Sequence, residues 1–215
     1  MQPINSFLDQ CKKLVKGVVR PIAQGLNNVS GGQLSPNTVT IVGLCMHIPI
    51  AWLIAQDSPV WAAGLLVVFG LFDTLDGELA RLQKRESSVG MLLDSTTDRM
   101  KEIILYIGIA YLLVSQSSSL PWQPATIAAV AAAACGGSIL VSYVNAWGEA
   151  ILAAKGHKHT INQTFRSGLL RFEIRMVLII LGLLTGWLLY VVAAIAVLAW
   201  LTALERLRNI IAVLK

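Results

Sequence analysis

Apolar residues fill this chain in long blocks separated by short polar stretches. A helix needs roughly 20 apolar residues to cross a bilayer. The blocks at 36–56, 59–84, 88–115, 121–153, 168–186 and 188–212 meet that length, which predicts six transmembrane helices. Asp57-Ser-Pro59, the stretch 116–124 and Thr185-Gly186 mark three short turns, and 85–88 and 155–167 the other loops. The first thirty or so residues carry a different pattern. Phe7, Leu8, Cys11, Leu14, Val15, Val18, Val19 and Ile22 recur at helical spacing, with Lys12, Lys13, Lys16 and Arg20 off that stripe. This predicts an amphipathic helix over 1–30, lying in the membrane interface ahead of a six-helix domain at 31–215. Ser6 with Asp9 offers an N-terminal cap, and Pro21 is expected to bend or interrupt the helix. The stretch 27–35, with Gly31-Gly32, reads as a loop.

Composition agrees with an all-α integral membrane protein. The 215 residues are 55% hydrophobic and 13% charged, with mean hydropathy +0.67. A net charge of +5 could point to nucleic acid, but its distribution points to a membrane. All seventeen Lys and Arg fall at 12–20, 81–101, 155–175 and 206–215, and the other three turns carry none. Alternate helix ends are therefore basic, which sets both termini in the cytosol and makes the number of spans even. Cys11, Cys45 and Cys135 fit no metal or redox spacing and read as packing residues. No apolar core followed by a small-residue cleavage site opens the chain.

Against this background, the segment 73–98 stands out. It reads Asp73-Thr-Leu-Asp76-Gly77-Glu-Leu-Ala80-Arg81, eight more residues, then Gly90-Met-Leu-Leu-Asp94-Ser-Thr-Thr-Asp98. On helices, 73, 76 and 80 share one face, and 87, 90, 94 and 98 share another. Counting at about 1.5 Å per residue from the outer boundary, Asp73 lies about 21 Å in, Asp76 about 25 Å and Asp98 about 26 Å. In hydrocarbon about 30 Å thick, that is its cytosolic part. A charge there costs roughly 2.5–3.5 kcal/mol or more unless compensated, so function is the default reading. Acids gathered in a partly apolar site repel one another until neutralised. Hard divalent ions with oxygen ligands neutralise them, and Arg81 adds a guanidinium suited to phosphate. The ingredients suggest two metals acting on a phosphoanhydride.

The pattern D-x₂-D-G-x₂-A-R-x₈-G-x₃-D-x₃-D resembles the signature of the CDP-alcohol phosphotransferases, with every fixed position present. Weaker similarity extends to Leu34-Ser-Pro36-Asn37-Thr-Val-Thr40, to Ser142-Tyr143, and from Gly168 to Arg175. The resemblance implies a homodimeric phospholipid-synthesising transferase of the cell (inner) membrane with a cytoplasmic active site. Its donor would be a CDP-linked lipid such as CDP-diacylglycerol, and CMP would leave. Its cofactor would be two Mg²⁺ ions, with Mn²⁺ the alternative. Asp73 and Asp94 would bridge the metals, Asp76 and Asp98 would complete the two sites, and Asp98 would act as general base. Gly77, Arg81 and Ser87 would contact the cytidine nucleotide, and Pro36, Asn37, Thr38 and Val39 the donor.

For the acceptor, Thr40-Ile-Val-Gly43, Arg20-Pro21-Ile-Ala and 142–147 look most like the inositol-phosphate branch. Asn145 and Trp147 stand where that branch carries basic residues. Arg175, which aligns with a family arginine, and Arg171, at i and i+4, would hold an acceptor phosphate. Glycerol phosphate, inositol, serine and ethanolamine remain alternative acceptors. A cation transporter remains a second class, since intramembrane acids also form ion pathways. It has no need of Gly77, Ala80, Arg81 and Gly90 between its acids. Glu78 and Glu86 are expected to face water or to pair with Lys84 or Arg85, and Trp200 to be an interfacial or packing aromatic.

Overall fold

The apolar blocks fold into helices whose ends follow the turn residues. The computed structural model describes residues 2–155, 170 and 172–214, with side chains from Leu14 onward. Among them the elements in order are α1 (Gln2–Val29), α2 (Pro36–Ala55), α3 (Pro59–Gly70), α4 (Phe72–Gln83), α5 (Ser88–Ser115) and a 3₁₀ turn at Ser117–Ser119. Then come α6 (Pro124–Ala154), α7 (Phe172–Thr185) and α8 (Leu188–Leu214). The described residues form helices and turns only.

The chain divides into two compact units. The first comprises Met1–Leu53 and Trp61–Leu105. In it α1 packs along α4, where Val19 and Ala23 join Val39, Leu75 and Leu79 in one buried apolar cluster. Leu14, Val18, Ile22 and Val29, on another side of α1, stay exposed. Gly31 and Gly32, both at positive φ, turn the chain from α1 into α2, a conformation costly for residues with a Cβ. Gln83 fastens that turn to the end of α4, donating from Nε2 to Asn27 Oδ1 at 3.0 Å and to the Leu34 carbonyl at 2.9 Å. Pro36 opens α2, where its missing N–H costs nothing.

The second unit comprises Ile54–Val60 and Tyr106–Lys215. Its main contact is α6 on α8. Small residues allow a close approach there, Ala131, Ala134 and Gly137 on α6 meeting a face that includes Ala199 and Ala203. Trp200 Nε1 donates to the Ala133 carbonyl at 3.0 Å.

Several expectations need correction. Helix α1 runs through Pro21 without a break. Pro21 is exposed, so the carbonyl it leaves without a helical donor faces outward rather than into the core. Because α1 begins at Gln2, Ser6 lies inside it and is not its cap. The block 59–84 is two helices, interrupted at Leu71, where a tighter i−3 bond from Leu71 N to the Val68 carbonyl (3.2 Å) follows Gly70. Four stretches among the described residues are long and apolar enough to cross a membrane: Pro36–Ala55, Pro59–Gln83, Pro124–Ala154 and Leu188–Leu214. The other two expected spans, 88–115 and 168–186, are not among these four. Helix α5 carries Asp94, Asp98, Arg99, Lys101 and Glu102 among its first fifteen residues, and of the block 168–186 the described helix is α7, Phe172–Thr185.

Candidate functional site

The motif's two halves sit on α4 and the start of α5, joined by a link of four residues, 84–87. The link is tight because α4 ends in a left-handed cap. Lys84 has φ 53°, and the amides of Lys84 and Arg85 return to the carbonyls of Arg81 (3.2 Å) and Ala80 (2.9 Å). Ser87 then starts α5 by accepting from the Gly90 amide at 3.0 Å on its Oγ, an N-cap bond to the third helical residue. Gly90 has little space around it. A Cβ there would stand 3.3 Å from Ser87 Oγ and 3.6 Å from Asn37 Oδ1.

This arrangement opens a cavity of about 570 Å³ within the first unit. Asp76, Gly77, Ala80 and Arg81 line it from α4, and Gly90 and Asp94 from α5, together with Pro36, Asn37 and Ser87. Six of the motif's eight fixed positions thus face one space. Sequence reasoning missed Arg85, Glu86, Ser88 and Met91, which also line it. The position of Arg85 in the link between the motif halves was the available signal. Thr38 and Val39 are not brought to the cavity. Thr38 is exposed, and Val39 is in the apolar cluster with Leu75 and Leu79, because one helical turn cannot point four successive side chains the same way.

The four aspartates divide into two pairs. Asp76 and Asp94 line the cavity. Asp76 Oδ2 accepts from Thr40 Oγ1 at 2.5 Å, while Asp94 Oδ1 is buried with no hydrogen-bond partner. Asp73 and Asp98 instead share an ammonium, with Lys101 Nζ 2.5 Å from Asp73 Oδ1 and 3.3 Å from Asp98 Oδ1. Arg99 Nη2 lies 3.6 Å from Asp98 Oδ2. Among the described residues, no three carboxylate, histidine or cysteine side chains gather at the spacing of a metal centre. The donor set is nevertheless all hard oxygen, which suits Mg²⁺ or Mn²⁺. A buried carboxylate oxygen without a partner is a costly feature that a cation would relieve. The residues present therefore fit a divalent ion.

Glu78 does not face water and does not pair with Lys84 or Arg85. It is buried and its Oε1 takes the Arg81 guanidinium at 2.7 Å, as i,i+3 neighbours on a helix can. In the second unit Arg175 is 1% exposed, donates from Nη1 to the Leu170 carbonyl at 3.0 Å and stands 5.8 Å from the Phe172 ring centre. Arg171 lies outside the described residues. Asn145 Oδ1 is buried with no hydrogen-bond partner in α6, and Arg206, which sequence reasoning left among the terminal basic residues, is buried in α8.

Comparison with known proteins bears on what this geometry belongs to. Over 140 residues the chain is 30% identical to the phosphatidylinositol phosphate synthase of Corynebacterium glutamicum, covering 65% of this chain and 61% of that protein. It therefore spans less than two thirds of that relative's length. It is 26% identical over 200 residues to the archaetidylinositol phosphate synthase of Pyrococcus horikoshii, covering 93% of this chain and 94% of the other. The fold is similar to that of crystal structures of the Mycobacterium tuberculosis phosphatidylinositol phosphate synthase. The one with CDP-DAG bound superposes with TM-score 0.73 at 22% identity, over 90% of this chain and 93% of that one. The one in complex with manganese and citrate gives 0.72 at 23%, over 89% and 88%. Residues 33–205 match the sequence profile described as CDP-alcohol phosphatidyltransferase. That match takes in α2 through α7, the cavity and the greater part of α8, so the chain belongs to the CDP-alcohol phosphatidyltransferase family.

Proposed function

We propose that this protein is a membrane enzyme that moves a phosphatidyl group from CDP-diacylglycerol to inositol phosphate or a similar phosphorylated polyol, releasing CMP. One observation carries the reading above the others: the cavity whose wall is made by Asp76, Gly77, Ala80, Arg81, Gly90 and Asp94. It combines acid, guanidinium and close backbone approach in one space, the combination a nucleotide diphosphate needs. The named activities of the relatives support the choice of donor and acceptor.

In this reading Asp73, Asp76, Asp94 and Asp98 together would hold two divalent ions, Mg²⁺ or Mn²⁺. When bound, the ions supply Lewis acidity to the diphosphate and charge stabilisation to the departing CMP. The chain's own groups do the rest. Arg81, held at the rim by Glu78, meets phosphate oxygens. Gly77 and Gly90 let the nucleotide lie against backbone, and Pro36, Asn37 and Ser87 bound its other side. Asp98 takes the proton of the acceptor hydroxyl, whose oxygen forms the new bond to the lipid-side phosphorus as the bond to CMP breaks. Arg175 binds the acceptor's phosphate, with Arg171 as a second candidate. The membrane setting follows the sequence pattern: six spans, both termini and the active site cytoplasmic, and α1 in the cytosolic interface with its exposed apolar side toward lipid. A homodimer, which the family resemblance implies, completes the reading.

The test is CMP release by purified protein given labelled CDP-diacylglycerol and, in turn, inositol phosphate, glycerol phosphate, inositol, serine and ethanolamine. The expected result is turnover fastest with inositol phosphate, loss on chelation, loss of at least about a hundredfold in Asp98→Asn, and a raised KM for the phosphorylated polyol in Arg175→Ala. Absence of CMP with every acceptor would end the reading.

A further inference from the structure

The cavity carries a second guanidinium. Arg85 stands in the link between the motif halves and lines the same space as Arg81. The motif leaves the eight positions between Arg81 and Gly90 open, so it assigns Arg85 no role. The two side chains are held differently. Arg81 Nη2 donates to the Glu78 carboxylate at 2.7 Å, which offsets its charge. Arg85 Nη1 donates to Gln83 Oε1 at 3.3 Å, a neutral acceptor that orients the group and leaves its charge whole. Gln83 is itself fixed. Its Nε2 donates to the Leu34 carbonyl at 2.9 Å and to Asn27 Oδ1 at 3.0 Å. A backbone carbonyl can only accept, so the NH₂ of the amide must face Leu34 and Oε1 must face away from it. Both Nε2 hydrogens are then used on the turn between α1 and α2, and Oε1 is left for Arg85. The backbone bond from Arg85 N to the Ala80 carbonyl at 2.9 Å keeps the root of the Arg85 side chain at the end of α4.

We propose that Arg85 is a second phosphate-binding guanidinium of the donor site and that Gln83 is its positioning residue. The inference rests on the transferase reading and deepens it. A diphosphate offers two anionic groups, each able to take a guanidinium. Arg81 and Arg85 on one cavity match that number. Arg85 is exposed, so a ligand reaches it without displacing packed neighbours. An exposed arginine has many rotamers and loses entropy when a ligand holds it. Gln83 restricts it before the donor arrives, which lowers the cost of binding. Through Gln83 the place of Arg85 also depends on the turn from α1 to α2. Leu34, on that turn, stands two residues before Pro36, and Pro36 and Asn37 line the same cavity. One amide therefore ties two walls of the donor site together.

The experiment measures CDP binding to the detergent-purified full chain by isothermal titration calorimetry, with Mg²⁺ present. It is run on the wild type, Arg85→Gln, Gln83→Leu and the double variant. Arg85→Gln is expected to raise the Kd for CDP about tenfold, the worth of one charge-assisted hydrogen bond. The gap from wild type is expected to narrow at high salt, because an exposed charge acting on phosphate is screened. A gap of the same size at low and high salt would mean that Arg85 meets the neutral base or ribose, and overturns the proposal. Gln83→Leu is expected to raise Kd about threefold where Arg85 is present and to add nothing where it has been replaced. Loosening of the turn alone would cost the same factor in both backgrounds, and that result overturns the role given to Gln83. Equal Kd values for wild type and Arg85→Gln would overturn the proposal while leaving the transferase reading intact. No CDP binding by the wild type would overturn both.

Discussion

At the scale of single residues, the side chain that most directly tests the cavity's role is Arg81. Its guanidinium is about half exposed, and one nitrogen is engaged by Glu78, which leaves the rest of its donor fork for a ligand. Lysine keeps the charge but lacks that fork. Arg81→Lys is therefore expected to weaken donor binding by about 1–2 kcal/mol, roughly tenfold in KM for CDP-diacylglycerol, with kcat kept within about twofold. Steady-state kinetics over a range of donor concentrations check this. Unchanged KM would remove Arg81 from the donor's contacts. The aspartates, Gly77, Arg81 and Gly90 were legible in the sequence because their spacing is fixed and their chemistry is out of place among apolar residues. Lys101 was not. In the sequence it is one more basic residue near a cytosolic helix end, and only the fold brings Asp73 of α4 to an ammonium that Asp98, on its own helix, also meets. Glu78 was misread for a related reason. Arg81, three residues on, reads in the sequence as a phosphate ligand, yet it is the basic residue that shares Glu78's face, whereas Lys84 and Arg85 lie past the end of α4 at Gln83.

At the scale of elements, the helices were legible from apolar runs and their punctuation by Pro, Gly and Ser. Their interruptions were less so. Gly70 alone does not announce a break, and Pro21 alone does not prevent a helix; both outcomes depend on what surrounds the freed backbone groups. Contacts between helices were least legible, and α6 with α8 is the clearest example. The run of alanines and glycines from Ala128 to Gly137 permits close packing but names no partner. The structure names Trp200, whose indole crosses to the Ala133 carbonyl. Gly137 is where that approach is closest. A Cβ there would stand 2.8 Å from Trp200 Cδ1 and 3.0 Å from both Ala199 Cβ and Trp200 Nε1. Gly137→Ala should force the indole out of place at a cost of about 1–3 kcal/mol. The expected result is a thermal midpoint in detergent lower by several degrees. Gly136→Ala, one position away with nothing within 4 Å of its added Cβ, should leave it unchanged. Equal midpoints for the two variants would mean that the indole yields without cost.

At the scale of the whole molecule, the number of membrane crossings turns on α5. By length and composition four stretches qualify as spans, and α5 does not. Its second half, from Ile103 to Ser115, is free of charge, whereas its first half carries the acids and Lys101. A helix that spends its cytosolic half on a buried ionic cluster fails any test of average hydropathy, even if it spans, because its charges compensate one another rather than meeting lipid. The distribution of Lys and Arg argues that it does span, since the chain on either side of it changes from basic to uncharged. Labelling decides the matter. Cys11, Cys45 and Cys135 would be replaced, and single cysteines introduced as Glu86→Cys before α5 and Ser118→Cys after it, at positions outside the buried core. A membrane-impermeant maleimide applied to intact cells, or to spheroplasts where an outer membrane intervenes, should label Ser118→Cys at once. Glu86→Cys should react only after permeabilisation. Equal labelling of the two positions before permeabilisation, or of neither, would put both ends of α5 on one side. The aspartate cluster would then lie along the membrane surface, and the depth argument that first set these four acids apart would fail with it.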